Sequence, residues 1–250
     1  MSKIIERPQG VLKNDLPEWG SDVMALAIRN TGVPYVTLNP GASFRGLHDS
    51  VVNFLGNESP QIILCLHEEH AVAIAHGYAK VAGRPLATIL HSNVGLMHGS
   101  MAIFNAFCDR VPILILGATG PVDSHKRRPW IDWIHTAQDQ GALIRNYIKW
   151  DNQPASIQAA VESIYRATKI AMIAPRGPVY VCFDVTLQEQ KLEDKISIPN
   201  ASRFIIPGAQ EPLEQSLSQA VELLRNAKNP LLLAGRVSRD EDAWIARVKL

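Results

Sequence analysis

Cysteine is scarce in this chain: three residues out of 250. Cys65, Cys108 and Cys182 lie far apart and no CxxC pair occurs, which argues against a disulfide framework and reads as buried, reduced thiols in a reducing compartment. Neither sign of charge dominates. Lys and Arg total 25 against 24 Asp and Glu, a formal net charge of +1, and no basic patch is interleaved with aromatics. The short KRR at 126–128 reads as a solvated loop, so neither a nucleic-acid nor a membrane partner is expected. No apolar run reaches the length of a membrane span. The opening MSKIIERPQGVLKNDLPEWG has no apolar core of a signal peptide, so a soluble, cytoplasmic protein is expected. Nucleotide loops are missing too. There is no GxxxxGK[ST] and no GxGxxG, and GATG at 117–120 lacks the third glycine and the helix of a dinucleotide fingerprint.

A hydrophobic fraction of 46 % is ample for one full domain and the start of another. Short runs rich in Val, Ile and Leu, apolar on both faces, predict strands at Tyr35–Leu38, Gln61–Leu66, Leu86–Leu90, Val111–Leu116 and Val179–Val185. Helical patterns fall between them at Ser21–Thr31, Ser43–Leu55, Glu68–Ala82, Gly95–Cys108 and Pro154–Ala171, several followed by Gly or Pro. This alternation predicts an α/β fold, a doubly wound parallel sheet with helices on both faces, over residues 1–188. Residues 119–150 break the pattern with a long, charged, tryptophan-rich connection, of the kind that is either functional or docked peripherally. Residues 189–209 read as a polar, proline-containing linker. A helix at Glu211–Ala227 and a buried strand at Pro230–Gly235 then predict the incomplete start of a second α/β domain over 210–250, as in the front portion of a longer chain.

The stretch CLHEEHAVAIAHGYAKVAG at 65–83 raises the sharpest question. His67 and His70 are three apart, but HEEH is not the HExxH zinc pattern and no further ligand cluster stands out, so no metal site is expected here. His70 and His76 read as hydrogen-bonded or solvated helix positions. Glu68 falls where a strand gives way to a helix, at the edge where open α/β sheets bind ligands. A carboxylate there also complements the helix dipole, a role that suits Glu69 equally, and spacing alone leaves the choice open. LNPGAS at 38–43 and LHSNVGLMHGS at 90–100 occupy the corresponding place after two other strands. Each alone is an ordinary strand-to-helix turn. Together with HEE they predict one small-molecule cleft.

This trio resembles the N-terminal, pyrimidine-binding domain of thiamine-diphosphate enzymes, in the family of acetolactate synthase, benzoylformate decarboxylase and related 2-oxo acid decarboxylases and carboligases. The resemblance covers roughly residues 18–188. It rests most on HE-x-x-A-x-x-x-A-x-GYA, from His67 through Ala79, and also on DRVPILILGA at 109–118 and APRGPVYVCFDV at 174–185. It implies that Glu68 hydrogen-bonds N1′ of the cofactor's aminopyrimidine and favours the imino tautomer, which takes the proton from C2 of the thiazolium. The ylide so formed attacks a 2-oxo acid, and the thiazolium ring acts as the electron sink. It implies that Asn39, Pro40 and Gly41 form a turn against the cofactor, that Gly95 sits in a loop bordering the site, and that His91 transfers protons. A strand-end histidine bonded to backbone is the alternative for His91.

The resemblance further implies Mg²⁺ and a diphosphate site on a GDG…N motif, which these 250 residues do not contain, in a C-terminal domain. It implies at least a homodimer and commonly a homotetramer, and it leaves room for FAD in a middle domain. Ala42 precedes Ser43 after NPG, which leaves the decarboxylase serine displaced or absent. His98 stands where an asparagine is common, and Asn93-Val94-Gly95 replaces the Gly-Pro-Gly of acetolactate synthases. The substrate-side glutamine of those synthases is matched by Gln138 or Gln140, or in position by Thr136. These departures bear on the substrate, not the cofactor. A non-catalytic interface subunit, or a nicotinamide-dependent dehydrogenase on a similar sheet, are the competing readings. Glu68 argues against the first, and the absent glycine fingerprint against the second.

Overall fold

The computed structural model describes residues 16–208, 211–238 and 240–250. The N-terminal stretch read for a signal peptide therefore lies largely outside the described residues, as does the end of the expected linker. The chain forms two compact units, one ending at Pro207 and one running from Gly208 to Leu250. No helix among the described residues is long and apolar enough to cross a membrane.

The first unit is built on six parallel strands: β1 (Tyr35–Leu38), β2 (Gln61–Leu64), β3 (Ala87–Leu90), β4 (Leu114–Thr119), β5 (Asp151–Asn152) and β6 (Val179–Asp184), in the spatial order β2-β1-β3-β4-β6-β5. Before, between and after them lie α1 (Gly20–Asn30), α2 (Arg45–Asp49), α3 (Glu68–Ala82), α4 (Ser92–Cys108), α5 (Ile131–Ile134), α6 (Ile157–Met172) and α7 (Val185–Gln188).

Period-two alternation sends each strand's side chains to two cores. Leu114, Leu116 and Ala118 of β4 and Val179, Val181 and Phe183 of β6 join Met24, Leu47 and Ile164 of α1, α2 and α6 in one core. Ile115, Tyr180 and Cys182 face the other, with Val72 and Ala75 of α3 and Leu96 and Ile103 of α4. Every residue of β3, β4 and β6 is buried, which is why these strands read as unbroken apolar runs. The expected doubly wound α/β fold is the one observed.

A polar seam crosses the middle of the sheet. Thr37 Oγ1 of β1 lies 2.8 Å from Thr88 Oγ1 of β3 and donates to the Ala71 carbonyl of α3 at 2.8 Å. Both threonines are fully buried and each is satisfied, as buried hydroxyls must be.

The elements differ from expectation where local pattern is overridden. β4 starts three residues late and runs to Thr119, so Gly117 of the GATG stretch lies inside the strand. A Cβ there would meet the Tyr180 hydroxyl at 2.0 Å, so the glycine exists to seat that ring. The helical run after β1 is split into a 3₁₀ turn (Ala42–Phe44), α2, and a π turn (Ser50–Phe54). β5 has two residues and no apolar run to announce it. Residues expected as a free linker pack against the first core through Leu192, Ile196, Ile198 and Phe204.

The second unit contains α8 (Glu214–Asn226) and α9 (Glu241–Lys249). The strand expected at Pro230–Gly235 is absent. With no partner strand among the described residues its backbone has no ladder to join, and Leu231 and Leu233 are exposed. The α/β character expected of residues 210–250 is thus not seen in the unit itself.

Candidate active site

The strand order places the site. The chain leaves β1 toward β2 on one side and enters β3 on the other, so the sheet's topological switch point lies between β1 and β3. The three loops singled out in the sequence follow β2, β1 and β3, which are spatial neighbours, and their residues meet at the carboxyl edge.

Glu68 opens α3. His67 is the N-cap, its Nδ1 accepting the Glu69 backbone N–H at 3.2 Å, and Gly83 closes the helix in the left-handed conformation with φ 70°. This fixes Glu68 at the first turn with its side chain folded inward. It is 5 % exposed, whereas Glu69 is open to solvent. Glu68 Oε1 accepts from Asn39 Nδ2 at 3.2 Å, and Oε2 lies 3.3 Å from His98 Nδ1. Burial pushes the carboxyl up. Hydrogen bonds from its own backbone N–H, Asn39 and His98 outweigh this and hold it below the ordinary carboxylate value.

Gly95 belongs to the first turn of α4 rather than to a loop, since Ser92 already starts the helix and Gly95 N–H donates to the His91 carbonyl at 2.6 Å. A Cβ on Gly95 would stand 3.2 Å from Glu68 Oε1. A Cβ on Gly41 would stand 2.5 Å from the His91 side chain. Both glycines therefore leave room beside a functional candidate. Pro40 holds the turn between Asn39 and Gly41 after β1. Together, the buried carboxylate, its amide neighbour and the two glycine-cleared flanks form a cradle whose donor set suits the aminopyrimidine edge of thiamine diphosphate.

His67, Glu68 and His98 bring three potential ligand atoms within 4.8 Å of one another. His67 Nδ1 is already committed as an acceptor to Glu69 N–H, so in the neutral ring Nε2 carries the proton. The His67 and His98 rings stack with centroids 4.9 Å apart.

His91 ends β3. Its Nδ1 lies 2.9 Å from Ser43 Oγ, and Ser43 Oγ accepts the Ser92 backbone N–H at 3.1 Å. The displaced serine thus still reaches the histidine, through the 3₁₀ turn that carries Ala42 past it. Burial, then the neighbouring His135, push the His91 imidazole below the ordinary histidine value, with Glu68 opposing.

His91 and Ser43 line a cavity of about 260 Å³, whose far wall comes from the 119–150 connection: Gly120, Arg128, Asp132 and His135. The sequence alone presents Gly120 only as part of GATG and Arg128 only as part of a solvated KRR loop, and singles out neither Asp132 nor His135; Arg128 is instead tied to the buried Asp132. Asp132 is buried and accepts from Arg128 through the backbone N–H at 2.7 Å and the guanidinium at 2.8 and 3.1 Å. The Ser92 hydroxyl donates to the His135 carbonyl and ties the segment to the end of β3. Ser92 and Trp130 adopt φ of 48° and 49°, a left-handed backbone that non-glycine residues hold only where surroundings impose it. Of the substrate-side alternatives, Gln138 is exposed. Gln140 is buried away from the cavity, its amide donating to the Ala118 carbonyl and the Tyr180 hydroxyl. Thr136 abuts Gly120, where a Cβ would meet its hydroxyl at 2.4 Å.

Comparison with known proteins agrees with this architecture. The chain is 26 % identical over 209 residues to a benzoylformate decarboxylase of Pseudomonas aeruginosa, covering 83 % of this chain and 37 % of that protein. It is 23 % identical over 236 residues to an acetolactate synthase of Bacillus subtilis, covering 94 % of this chain and 38 % of that one. It spans little more than a third of the length of these relatives. Among solved structures, a benzoylformate decarboxylase from Polynucleobacter necessarius superposes with a TM-score of 0.73 at 20 % identity, over 86 % of this chain and 38 % of that one. A thiamine-diphosphate-dependent 4-hydroxybenzoylformate decarboxylase from Rhodococcus jostii gives 0.70 at 20 % identity, over 85 % and 38 %. The family profile described as "Thiamine pyrophosphate enzyme, N-terminal TPP binding domain" matches residues 18–143, just over half the chain. This chain belongs to the thiamine pyrophosphate enzyme family, through its N-terminal cofactor-binding domain.

Proposed function

We propose that the chain forms the pyrimidine-binding side of a thiamine-diphosphate-dependent enzyme that decarboxylates or ligates a 2-oxo acid, with Glu68 as the residue that engages the cofactor. The observation that carries this reading is the burial of Glu68 at the switch point, with one oxygen facing Asn39, the other facing His98, and Gly95 clearing its flank. A carboxylate costs free energy to bury, and a merely structural interface needs none there.

When bound, thiamine diphosphate would supply a nucleophilic carbon and an electron sink for the bonding pair that a departing carboxylate leaves behind. The protein's part is positional. Glu68 holds the pyrimidine ring through N1′, Asn39 orients the carboxylate, and the backbone around Pro40, Gly41 and Gly95 lies against the ring. A water-poor cleft strengthens the bond to Glu68. His91, backed by Ser43, exchanges protons with the substrate in the adjoining cavity.

Mg²⁺ and the diphosphate would be held by a GDG…N motif outside these residues. A homodimer or homotetramer is supported by Met97, Met101 and Phe104, which sit at helical spacing on α4 and are exposed. A cytoplasmic location is the reading favoured by cysteine usage: three residues far apart in sequence with no CxxC pair.

The deciding experiment is Glu68→Gln in the full-length protein. Thiamine-diphosphate-dependent turnover of pyruvate and of an aromatic 2-oxo acid should be lost while the circular dichroism spectrum and melting temperature stay near those of the parent. Unchanged turnover would overturn the assignment.

A further inference from the structure

We propose that His98 is a positioning residue for Glu68: its Nδ1–H holds one carboxylate oxygen and sets the plane in which the carboxylate meets the pyrimidine nitrogen. The inference rests on the reading of the site given above and adds a residue to it.

Helix geometry brings His98 there. It follows Gly95 by three residues on α4, so the two share a face. The helix sits close to its neighbours at the next residue, where a Cβ on Gly99 would stand 3.2 Å from a Leu90 methyl and 3.4 Å from a Val72 methyl. The imidazole thus reaches the first turn of α3, with Nδ1 3.3 Å from Glu68 Oε2. An ionised carboxylate only accepts, so Nδ1 bears the proton and, in the neutral ring, Nε2 holds the lone pair. The ring lies on His67, with centroids 4.9 Å apart and planes at 19°. His67 is itself held by the Glu69 N–H at the N-cap. That stack gives His98 a fixed platform although its side chain is 60 % exposed, against 7 % for Glu68.

The carboxylate needs such a clamp. The last torsion of a glutamate is broad, not confined to staggered wells, so burial alone does not set the plane of its oxygens. A donor on each oxygen does: Asn39 Nδ2 on Oε1 at 3.2 Å and His98 Nδ1 on Oε2. An ionised carboxylate offers about four acceptor sites. Asn39, His98 and the backbone N–H of Glu68 take three of them, which leaves one for the ligand. Without the His98 donor a second site opens and the carboxylate can turn about its last bond. Fewer molecules then present the oxygen in the productive direction. An exposed ring adds little to folding, so the loss falls on alignment and not on stability.

Two measurements on the full-length protein test this. In cofactor-free, ¹⁵N-histidine-labelled protein at a pH where the ring is neutral, His98 should resonate as the Nδ1–H tautomer, and Glu68→Ala should release it to Nε2–H, the form free histidine prefers. An Nε2–H ring at His98 in the parent overturns the proposal, whatever becomes of the cofactor reading. In turnover assays, His98→Phe keeps a ring on His67 but has no donor. It should lose about thirtyfold in kcat, with KM for the 2-oxo acid within about twofold and the melting temperature within about 2 °C of the parent. His98→Asn places an amide nitrogen two bonds from Cβ, as Nδ1 is, and should recover kcat to within about threefold of the parent. His98→Gln places it one bond further out, as Nε2 is, and should stay with the Phe variant. A Phe variant within about threefold of the parent, or Asn serving no better than Gln, would leave His98 no part in positioning. An absence of any thiamine-diphosphate-dependent turnover in the parent would defeat the reading of the site, and the tautomer would still decide whether His98 clamps Glu68.

Discussion

The candidate site has two walls of different origin. One is made by three short loops at the ends of β1, β2 and β3, of which the first and third line the cavity, and the other by the connection between β4 and β5. The loop wall is held by backbone geometry: a sheet edge, a helix N-cap at His67, a glycine beside each candidate group. The connection wall is held by side chains bonded to backbone: Asp132 to Arg128, the Ser92 hydroxyl to the His135 carbonyl, Thr136 to the Asp132 carbonyl at 2.5 Å. The first kind of wall follows from regular structure and tolerates change in exposed side chains. The second depends on individual polar groups, and removing one leaves a buried partner unsatisfied.

Substitutions can break this contrast. The largest effect should come from the loop wall's buried acid. Glu68→Gln should lower turnover at least about a hundredfold, whereas Glu69→Gln, one residue away and solvated, should stay within about twofold of the parent in the same assay. Next is Gly117→Ala behind the connection. The new methyl would collide with Tyr180, whose hydroxyl accepts from Gln140 at 2.7 Å, and the cost should be about 3 kcal/mol in denaturant melts.

Asp132→Ala follows, at about 1–3 kcal/mol, because it orphans three donors on Arg128. The hydrogen bond from Arg128 holds the Asp132 carboxyl below its ordinary value, against burial. Its contribution is therefore complete above the unfolded carboxylate range and is lost as pH falls through the folded value. Melting curves of parent and variant should converge on acidification. The smallest effect is the most diagnostic. Gly95→Ala should cut turnover about tenfold by crowding Glu68 Oε1. It should leave stability unchanged or raise it by up to about 1 kcal/mol, since alanine suits a helix better. A parallel loss of stability would mean that the glycine serves packing and not the site.

The same contrast explains what could be read from sequence. Buried parallel strands announce themselves as apolar runs, and β1 and α3 fall on their expected bounds. The convergence of the three loops was legible because a strand end followed by a turn fixes where a residue lies, and NPGA, HEE and HSNVG each obeyed that rule. β5 was not legible, since two polar residues at a sheet edge carry no periodic signal. Pro230–Gly235 misled for the opposite reason: an apolar run makes a strand only when another strand accepts its hydrogen bonds. Arg128, Asp132 and His135 escaped because their placement rests on contacts from the connection back to β3, which no local pattern encodes. The one cue was the four-residue spacing Arg128–Asp132 and Ile131–His135 within an otherwise irregular stretch.

The hydroxyl pair of Thr37 and Thr88, with its reach to the Ala71 carbonyl, has a consequence beyond the sheet. It rivets together the two central strands and the helix that begins at Glu68, beneath the floor of the cleft. The connection carrying His135 lies above that rivet and can be remodelled without loosening it. The roof could therefore change its residues while the foundation beneath Glu68 stays untouched.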